Sequence, residues 1–399
     1  MRKYKDMHEK RQYNINRKAI IGLMFLVFFT AIITVAVYNL EESPSDIEKQ
    51  NETEENIVIP DEDEEAYELP RRTLDGSVIP YDGIERTITC WGDSMTYGTG
   101  AGYAIFVNNE GEEVNISGWT SPSTIETLTG IKTYNLGVEG ETSYDIALRA
   151  GGIKMRVKDG FTVGYNEPVN VTILDEYDNE IFMADFSAYG YVELEEPDLV
   201  YIDKQLFKIT GTEEEGLHIQ RYSKESVEND EYIVIKENEQ VYTKASYERK
   251  DDILILEIGS NGGWNDYQEL IKQYDAIIEN SGCKYYIIVG DTDDPGTSLA
   301  DTNQGERNED GTRIGTGDTS WEATLREAYG EHFINMRAYL IKYGLKDVGL
   351  ARTKQERRMA RNGLIPERLR SDWTHFNSYG YYSKGLAIYK KGVELGYWQ

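Results

Sequence analysis

The sequence predicts a doubly wound α/β domain that is interrupted by a β-rich insertion. Two near-continuous apolar runs, over residues 252 to 258 and 285 to 290, are typical of parallel strands covered on both faces. Between them, residues 265 to 280 place apolar side chains at helical spacing, and Gly282 follows as a helix stop. Strand, helix and strand joined by short connections indicate a doubly wound fold.

An apolar run over residues 19 to 38 has no charged residue and is about long enough to span a bilayer. Lysines and arginines are concentrated in residues 1 to 18, whereas acidic residues follow the run. The positive-inside rule therefore predicts a cytoplasmic tail, one transmembrane helix and an extracellular remainder, hence a single-pass protein of the cell membrane. A cleaved signal peptide is the alternative, although the apolar part of such a peptide usually has only about 7 to 15 residues.

Residues 39 to 80 are acidic and contain almost no aromatic side chains. Such a segment cannot bury enough apolar surface to offset the entropy lost on ordering, so we expect a disordered, self-repelling linker. The whole chain has 399 residues and a formal net charge of -29 at pH 7. Binding to nucleic-acid phosphates needs clustered Lys and Arg, so this charge argues against a nucleic-acid partner.

The α/β domain is predicted over residues 81 to 152 and 251 to 399, and residues 153 to 250 interrupt it. In the interruption the helical period disappears, and short alternating runs of apolar and polar residues are separated by turn residues. That pattern predicts an all-β insertion of roughly one hundred residues. The other strands of the α/β domain are predicted over residues 87 to 91, 132 to 135 and 333 to 336.

Ser94 follows directly on the first predicted strand, in the segment Gly92-Asp93-Ser94. In open α/β sheets, ligands bind outside the carboxyl ends of the strands, so a hydroxyl group at this point is placed for chemistry. A hydroxyl nucleophile needs a neighbouring base, and histidine is the usual base near neutral pH. Gly-Asp-Ser is also an ordinary turn sequence. Whether Ser94 is a nucleophile or a turn residue therefore depends on whether the rest of the chain offers a suitable base and oxyanion donors.

His375 is the candidate base, because it lies in a loop ahead of a helix predicted over residues 379 to 395. Asp372 precedes it by three residues, a spacing that lets the carboxylate orient the imidazole and stabilise the imidazolium. Helix capping is the structural alternative for this pair. The other histidines lie on the predicted cytoplasmic side, in the insertion and before a buried strand, namely His8, His218 and His332.

Two further segments at strand ends offer hydrogen-bond donors for the oxyanion of an acyl-transfer intermediate. Gly140 follows the second strand at a predicted helix start, where a backbone N–H is free to bind an anion. Asn261 follows the third strand and offers a side-chain amide. A turn for the glycine and a helix cap for the asparagine are the structural alternatives.

These segments resemble the four sequence blocks of the SGNH hydrolases, also called GDSL esterases and lipases, and they occur in the family order. The four blocks are Gly92-Asp93-Ser94, Gly140 within residues 137 to 142, Gly259-Ser260-Asn261 and Asp372-Trp373-Thr374-His375. The resemblance covers residues 81 to 152 and 251 to 399. It implies a flavodoxin-like three-layer sandwich built on a five-stranded parallel sheet.

The resemblance also implies hydrolysis of carboxylic esters by a catalytic triad of Ser94, His375 and Asp372. The implied oxyanion hole consists of the backbone N–H groups of Ser94 and Gly140 and the side-chain amide of Asn261. We expect an acylated small molecule or an O-acylated envelope glycan as the substrate, and neither a cofactor nor a metal ion. An acyltransferase with the same triad and a catalytically inactive module that binds envelope carbohydrate are the alternatives.

Two features depart from the family pattern. Gly262 stands where family members commonly carry an aspartate, so the support of Asn261 is expected to differ. The β insertion replaces a connection that is normally short. Two roles are open for the insertion, a roof over the active site or a surface that binds a polymer.

The implied strand order also separates the two cysteines of the chain. Cys90 lies on the first strand and Cys283 just before the fourth, with the third strand between them. At about 4.8 Å per strand their backbones are expected to be about 10 Å apart, beyond the limit of about 7 Å for a disulfide. We therefore predict two free, buried thiols.

Overall fold

The structure is a computed structural model that describes residues 84–108, 110–182, 199–212, 215–223, 231–294 and 317–398. The predicted cytoplasmic tail, transmembrane segment and linker lie outside these residues. Within the described ranges, no helix is both long enough and apolar enough to cross a membrane.

Along the chain, strands and helices alternate first, then a long run of strands follows, and after it strands and helices alternate again. The strands are β1 (Ile88–Gly92), β2 (Ile105–Val107), β3 (Glu113–Asn115), β4 (Thr133–Gly137), β5 (Met155–Val157), β6 (Phe161–Val163), β7 (Val169–Val171), β8 (Ile173–Asp175), β9 (Glu180–Ile181), β10 (Leu199–Ile202), β11 (Gln205–Thr212), β12 (Gly216–Arg221), β13 (Ile233–Ile235), β14 (Gln240–Thr243), β15 (Ile253–Glu257), β16 (Tyr286–Val289) and β17 (Phe333–Ile334). The helices are α1 (Ser94–Tyr97), α2 (Ser121–Thr129), α3 (Ser143–Arg149), α4 (Lys244–Glu248), α5 (Tyr267–Ser281), α6 (Ser320–Tyr329), α7 (Met336–Tyr339), α8 (Leu345–Asp347), α9 (Lys354–Arg361) and α10 (Ser378–Glu394).

A five-stranded parallel sheet organises the α/β domain, and its strand order is β4-β1-β15-β16-β17. Numbered along the chain within this sheet, the order is 2-1-3-4-5, so the expected parallel sheet and its order are confirmed. The interior strand β1 pairs on both sides, with Ile88 opposite Ile253 of β15 and Thr133 of β4. The carboxyl ends of β1, β4 and β15 therefore meet at one edge.

Alternate residues of the parallel strands point into two hydrophobic clusters on opposite faces of the sheet. Cys90 of β1 and Ile255 of β15 belong to the first cluster. Their neighbours Trp91 and Leu256 belong to the second cluster. The first cluster contains side chains of α2 and α10, and the second contains side chains of α5 and α6, which define the α5–α6 face. Helices thus cover both faces, which explains why the parallel strands are apolar throughout.

The insertion forms an eight-stranded antiparallel sheet in the order β7-β12-β11-β10-β14-β5-β8-β9, and β6 pairs separately with β13. The predicted β-rich insertion is confirmed, with one correction. It is not all-β, because α4 closes it, where the Thr243 hydroxyl accepts a hydrogen bond from the Ser246 N–H at 3.1 Å and caps the helix. Phe207 and Ile219 of the insertion belong to the same hydrophobic cluster as the α5–α6 face.

Two glycines allow α1 to lie directly on the ends of β1 and β4. A Cβ atom on Gly92 would lie 2.1 Å from the Thr96 hydroxyl oxygen. A Cβ atom on Gly137 would lie 2.1 Å from the backbone nitrogen of Tyr97. Neither distance is compatible with a side chain, so the segment that carries Ser94 is seated against the sheet only because both positions are glycine.

The two cysteines are free, as predicted. Cys90 is buried on β1, Cys283 precedes β16, and β15 lies between these strands. Burial raises the pKa of both thiols. The prediction of full burial is wrong for Cys283, which is half-buried because it lies in the connection between α5 and β16 rather than on a strand.

Replacement of Gly137 by Ala is expected to destabilise the fold by about 1 to 3 kcal/mol, because the new methyl group overlaps the backbone of Tyr97. Urea unfolding measures this change. Gly102→Ala is the control, since the nearest atom to its Cβ would be 3.8 Å away, and its stability should change little. Equal stability of the two variants would contradict the close contact between α1 and β4.

Candidate active site

Ser94 is the first residue of α1, immediately after the edge of the parallel sheet. Asp93 caps this helix, and its carboxylate accepts a hydrogen bond from the Met95 N–H at 2.9 Å. The helix ends after one turn at Gly98, whose φ of 100° is a left-handed conformation. Because the first N–H groups of a helix have no partner within it, the Ser94 N–H is unpaired among the described residues.

Ser94, His375 and Asp372 form a contiguous hydrogen-bonded chain. The His375 Nε2 atom lies 3.0 Å from the Ser94 hydroxyl oxygen, although the two residues are 281 positions apart. The Nδ1 atom of the same ring lies 2.8 Å from an Asp372 carboxylate oxygen. That contact assigns the proton to Nδ1, which leaves Nε2 free to accept the serine proton. The geometry brings together the three residues predicted as a triad.

Asp372 also organises the loop that carries the imidazole. Its second carboxylate oxygen accepts the backbone N–H groups of Thr374 at 2.8 Å and of His375 at 2.7 Å. Partial burial acts to raise the pKa of Asp372, but these hydrogen bonds and the one from the His375 ring outweigh it, and the pKa is lowered. The group is therefore a carboxylate near neutral pH.

Arg370 fastens this loop to the loop that follows β16. Its guanidinium donates to the Thr374 carbonyl oxygen at 3.0 Å. On the other side it donates to the carbonyl oxygen of Thr292 at 3.1 Å and to the carboxylate of Asp294 at 3.0 Å. The arginine side chain is only 7% exposed. Sequence reasoning did not single out Arg370, because no sequence pattern around this arginine reveals the contacts that its side chain makes.

Gly140 lies in the turn between β4 and α3. The expectation of a helix start is corrected here, because α3 begins at Ser143 and Thr142 is its cap, so Gly140 lies two residues earlier. Its φ of 77° is left-handed, and its N–H has no hydrogen-bond partner among the described residues. A buried ion pair fixes the turn, since the Arg149 guanidinium holds the Glu141 carboxylate at 2.6 and 2.9 Å.

The Asn261 side chain reaches the same pocket but is already engaged. Its amide nitrogen donates to the Glu141 carbonyl oxygen at 3.0 Å and to an Asp93 carboxylate oxygen at 3.3 Å. To donate to an oxyanion, the Asn261 amide must give up its longer hydrogen bond, the one to Asp93. Glycine replaces the aspartate of the family pattern at position 262 for a structural reason, because the φ of 85° there favours glycine. The Gly262 carbonyl oxygen also accepts a hydrogen bond from the Ser143 N–H at 2.9 Å.

A buried ion pair lies beneath the turn that carries Ser94. The Lys384 ammonium of α10 lies 2.5 Å from the carboxylate of Glu257 and donates to the Met95 carbonyl oxygen at 3.1 Å. Glu257 also accepts the hydroxyl of Thr96 at 3.1 Å. Sequence reasoning missed this pair, although a glutamate within the apolar run of β15 is an available signal.

Asp93 is fully buried between this ion pair and the pocket. Burial, followed by the nearby charge of Glu257, raises the pKa of Asp93 to about 7. The carboxyl group can therefore change its protonation state within the physiological range. Its neighbours Met95 and Asn261 both direct N–H groups at it, so it can accept hydrogen bonds in either state.

The pocket at this edge of the sheet is acidic. Its wall consists of Asp93, Ser94, Met95, Glu139, Gly140, Ser260, Asn261, Asp293, Asp372, Trp373, Thr374 and His375. No lysine or arginine belongs to this wall, and no described residue of the insertion does so either. The described part of the insertion therefore contributes no residue to this wall. In the described ranges, no group of three His, Cys, Asp or Glu side chains is arranged to hold a metal ion.

No protein-family model matches the chain, and no curated protein is significantly similar to it. The family resemblance of the four sequence blocks therefore remains a prediction. The geometry of the pocket is the basis on which chemistry can be assigned to this chain.

Replacement of Asp93 by Asn is expected to make the stability of the protein less dependent on pH. The folded pKa of about 7 lies above the ordinary value of 3.8, so the wild-type protein loses stability as the pH rises from 4 through 7. Asn keeps an acceptor for the Met95 N–H but cannot ionise. The free energy of unfolding of Asp93→Asn minus that of wild type should be more positive at pH 8 than at pH 5, by about 2 to 3 kcal/mol.

Urea unfolding at the two pH values measures this difference. Asp372→Asn is the matched control, since its lowered pKa places its pH effect at acid pH, where stability is lost as the pH falls below about 4. An Asp93→Asn difference that is the same at pH 5 and pH 8 would contradict a raised pKa for Asp93.

Arg370→Ala is expected to lower the turnover of any reaction that uses the triad by roughly 10- to 100-fold, with a much smaller change in KM, because the loop carrying His375 loses its attachment. Arg368→Ala is the control, since Arg368 lies on the same segment but pairs with Glu356 away from the pocket. Thermal unfolding checks that both variants fold. Unchanged turnover in Arg370→Ala would show that the loop holds its position without this residue.

Proposed function

We propose that this chain is a membrane-anchored, extracytoplasmic serine esterase of the SGNH hydrolase superfamily that hydrolyses carboxylic esters. The observation that carries the proposal is the chain of hydrogen bonds from Asp372 through His375 to Ser94, at 2.8 and 3.0 Å, in the wall of a pocket. The strand order of the parallel sheet and the helices on both of its faces agree with a flavodoxin-like three-layer sandwich, which supports the same assignment.

In the first half-reaction, the Ser94 hydroxyl oxygen attacks the ester carbonyl carbon while His375 Nε2 takes its proton. Asp372 stabilises the resulting imidazolium through its bond to Nδ1. The carbonyl oxygen becomes an oxyanion, and in this proposal it is bound by the N–H groups of Ser94 and Gly140, which have no partner among the described residues. Asn261 supplies a third donor when it releases Asp93. Collapse of the intermediate expels the alcohol, which takes the proton from His375 and leaves an acyl-serine.

In the second half-reaction, water attacks the acyl-serine as His375 again accepts a proton. The same donors stabilise the second oxyanion. Collapse breaks the bond to the Ser94 oxygen, which recovers its proton from His375, and the carboxylic acid leaves. Besides the ester, the two half-reactions consume one molecule of water, and every proton transfer passes through His375.

The location of the enzyme supports an O-acyl group on an envelope glycan as the substrate. A transmembrane helix over residues 19 to 38 and an extended linker over residues 39 to 80 would hold the catalytic domain close to the cell envelope. Acylated envelope glycans are ester substrates within the reach of such a tether. This part of the proposal depends on the predicted anchor and not on the pocket.

The proposal is tested with the full-length chain purified in detergent and a short-chain aryl ester. Replacement of Ser94 by Ala should lower kcat/KM by at least about 1,000-fold, because the nucleophile is lost. Ser281→Ala is the control, since Ser281 lies at the end of α5, outside the pocket, and should retain full activity. A fluorophosphonate probe should label wild type and Ser281→Ala but not Ser94→Ala.

Retention of most of the activity by Ser94→Ala would refute the proposed mechanism. Product analysis with and without a sugar acceptor distinguishes hydrolysis from acyl transfer. Release of free acid in water alone supports an esterase, whereas turnover that requires the acceptor identifies a transferase that uses the same triad.

A further inference from the structure

Asp293 lies in the wall of the catalytic pocket, in the loop that follows β16. The residue is only 8% exposed. Its carboxyl group accepts no hydrogen bond and forms no ion pair with any other described residue. Buried polar side chains are nearly always paired, so a carboxyl group left without a partner at the edge of a pocket needs an explanation.

The neighbouring acidic residues of this loop are all engaged. Asp291 accepts the Ser260 hydroxyl at 2.8 Å, and Asp294 accepts the Arg370 guanidinium at 3.0 Å. Arg370 in turn holds the loop that carries His375. The loop backbone around Asp293 is thus fixed by contacts on both sides, whereas the Asp293 carboxyl group itself remains available to a ligand in the pocket.

The charge of the pocket restricts that ligand. The other carboxyl groups of the described wall belong to Asp93, Glu139 and Asp372, and its basic side chain, His375, is already paired with Asp372. No lysine or arginine lies in this wall, although the Arg370 guanidinium is near enough to act on Asp293. An anionic group beside Asp293 would be repelled. Burial, followed by the nearby charge of Asp291, raises the pKa of Asp293 even though the Arg370 guanidinium acts to lower it, which favours the neutral carboxylic acid. A neutral acid both donates and accepts hydrogen bonds, which matches a hydroxyl group better than a cation.

We propose that Asp293 is a specificity-determining residue that hydrogen-bonds a hydroxyl group of the substrate close to the scissile ester, so that the site selects polyol or sugar esters over apolar esters. The inference rests on the proposed esterase function and deepens it. Pairing with a substrate hydroxyl satisfies the carboxyl group, whereas an ester without that hydroxyl leaves it buried and unpaired.

The test compares three acetate esters of similar size, using the full-length protein in detergent. Monoacetin carries free hydroxyl groups, propyl acetate has none, and acetylcholine carries a cation without a hydrogen-bond donor. Wild type should have the highest kcat/KM with monoacetin. In Asp293→Leu, kcat/KM for monoacetin should fall by roughly 10- to 100-fold while that for propyl acetate stays the same or rises.

Asp293→Asn is the matched variant, because it keeps a donor and an acceptor in the same shape and should retain most of the preference for monoacetin. Equal losses on monoacetin and propyl acetate in Asp293→Leu would indicate a structural role and overturn the inference. A preference of wild type for acetylcholine that is lost in both variants would assign Asp293 to a cation instead, and would also overturn it.

Binding separates this inference from the proposed function. Ligand-observed NMR with monoacetin on Ser94→Ala, with and without the added Asp293→Leu change, detects the contact without turnover. Binding that depends on Asp293 together with an absence of hydrolysis in wild type would refute the esterase and leave the hydroxyl contact standing. Hydrolysis of all three esters with the same selectivity in wild type and Asp293→Leu would refute only the role of Asp293.

Discussion

The buried pair of Lys384 and Glu257 supports the turn on which Ser94 is presented. Its two side chains come from the last helix and the central part of the sheet, and they are 1% and 7% exposed. Loss of one partner would leave an uncompensated charge in the interior, a change that typically costs about 3 to 5 kcal/mol. Because the pair also binds Met95 and Thr96, the position of the Ser94 hydroxyl depends on the docking of a helix nearly three hundred residues further along the chain.

The same dependence on distant segments recurs around the pocket. The imidazole is held by its own loop through Asp372, and that loop is tied by Arg370 to the residues after β16. The turn of Gly140 is tied to α3 by the pair of Glu141 and Arg149. Each short segment at the carboxyl edge is therefore fixed by a charged contact to a neighbouring element, and the site becomes a rigid assembly of loops that are individually irregular.

Local patterns in the sequence were sufficient to predict the parallel strands, because strands that are covered on both faces must be apolar throughout. They also placed Ser94, Asp372 and His375, since residue type and position after a strand limit the choices for a nucleophile and its base. Contacts that depend on three-dimensional packing could not be read in this way. The occupied amide of Asn261 is one example, and the unpaired carboxyl group of Asp293 is another, because a spacing does not show which partners a side chain will meet.

The hydrophobic cluster shared by the insertion and the α5–α6 face has a consequence for how this architecture can be altered. An independent module could be removed and the ends rejoined, but here removal of the insertion would take side chains such as Phe207 and Ile219 out of a cluster that also includes Leu254 and Leu256 of β15. The insertion and the α/β domain therefore share one hydrophobic core, and deletion of the insertion is expected to expose part of that core. Sequence variation is then expected in the exposed turns of the insertion, while the side chains that it contributes to the shared core remain constrained in size by their packing partners.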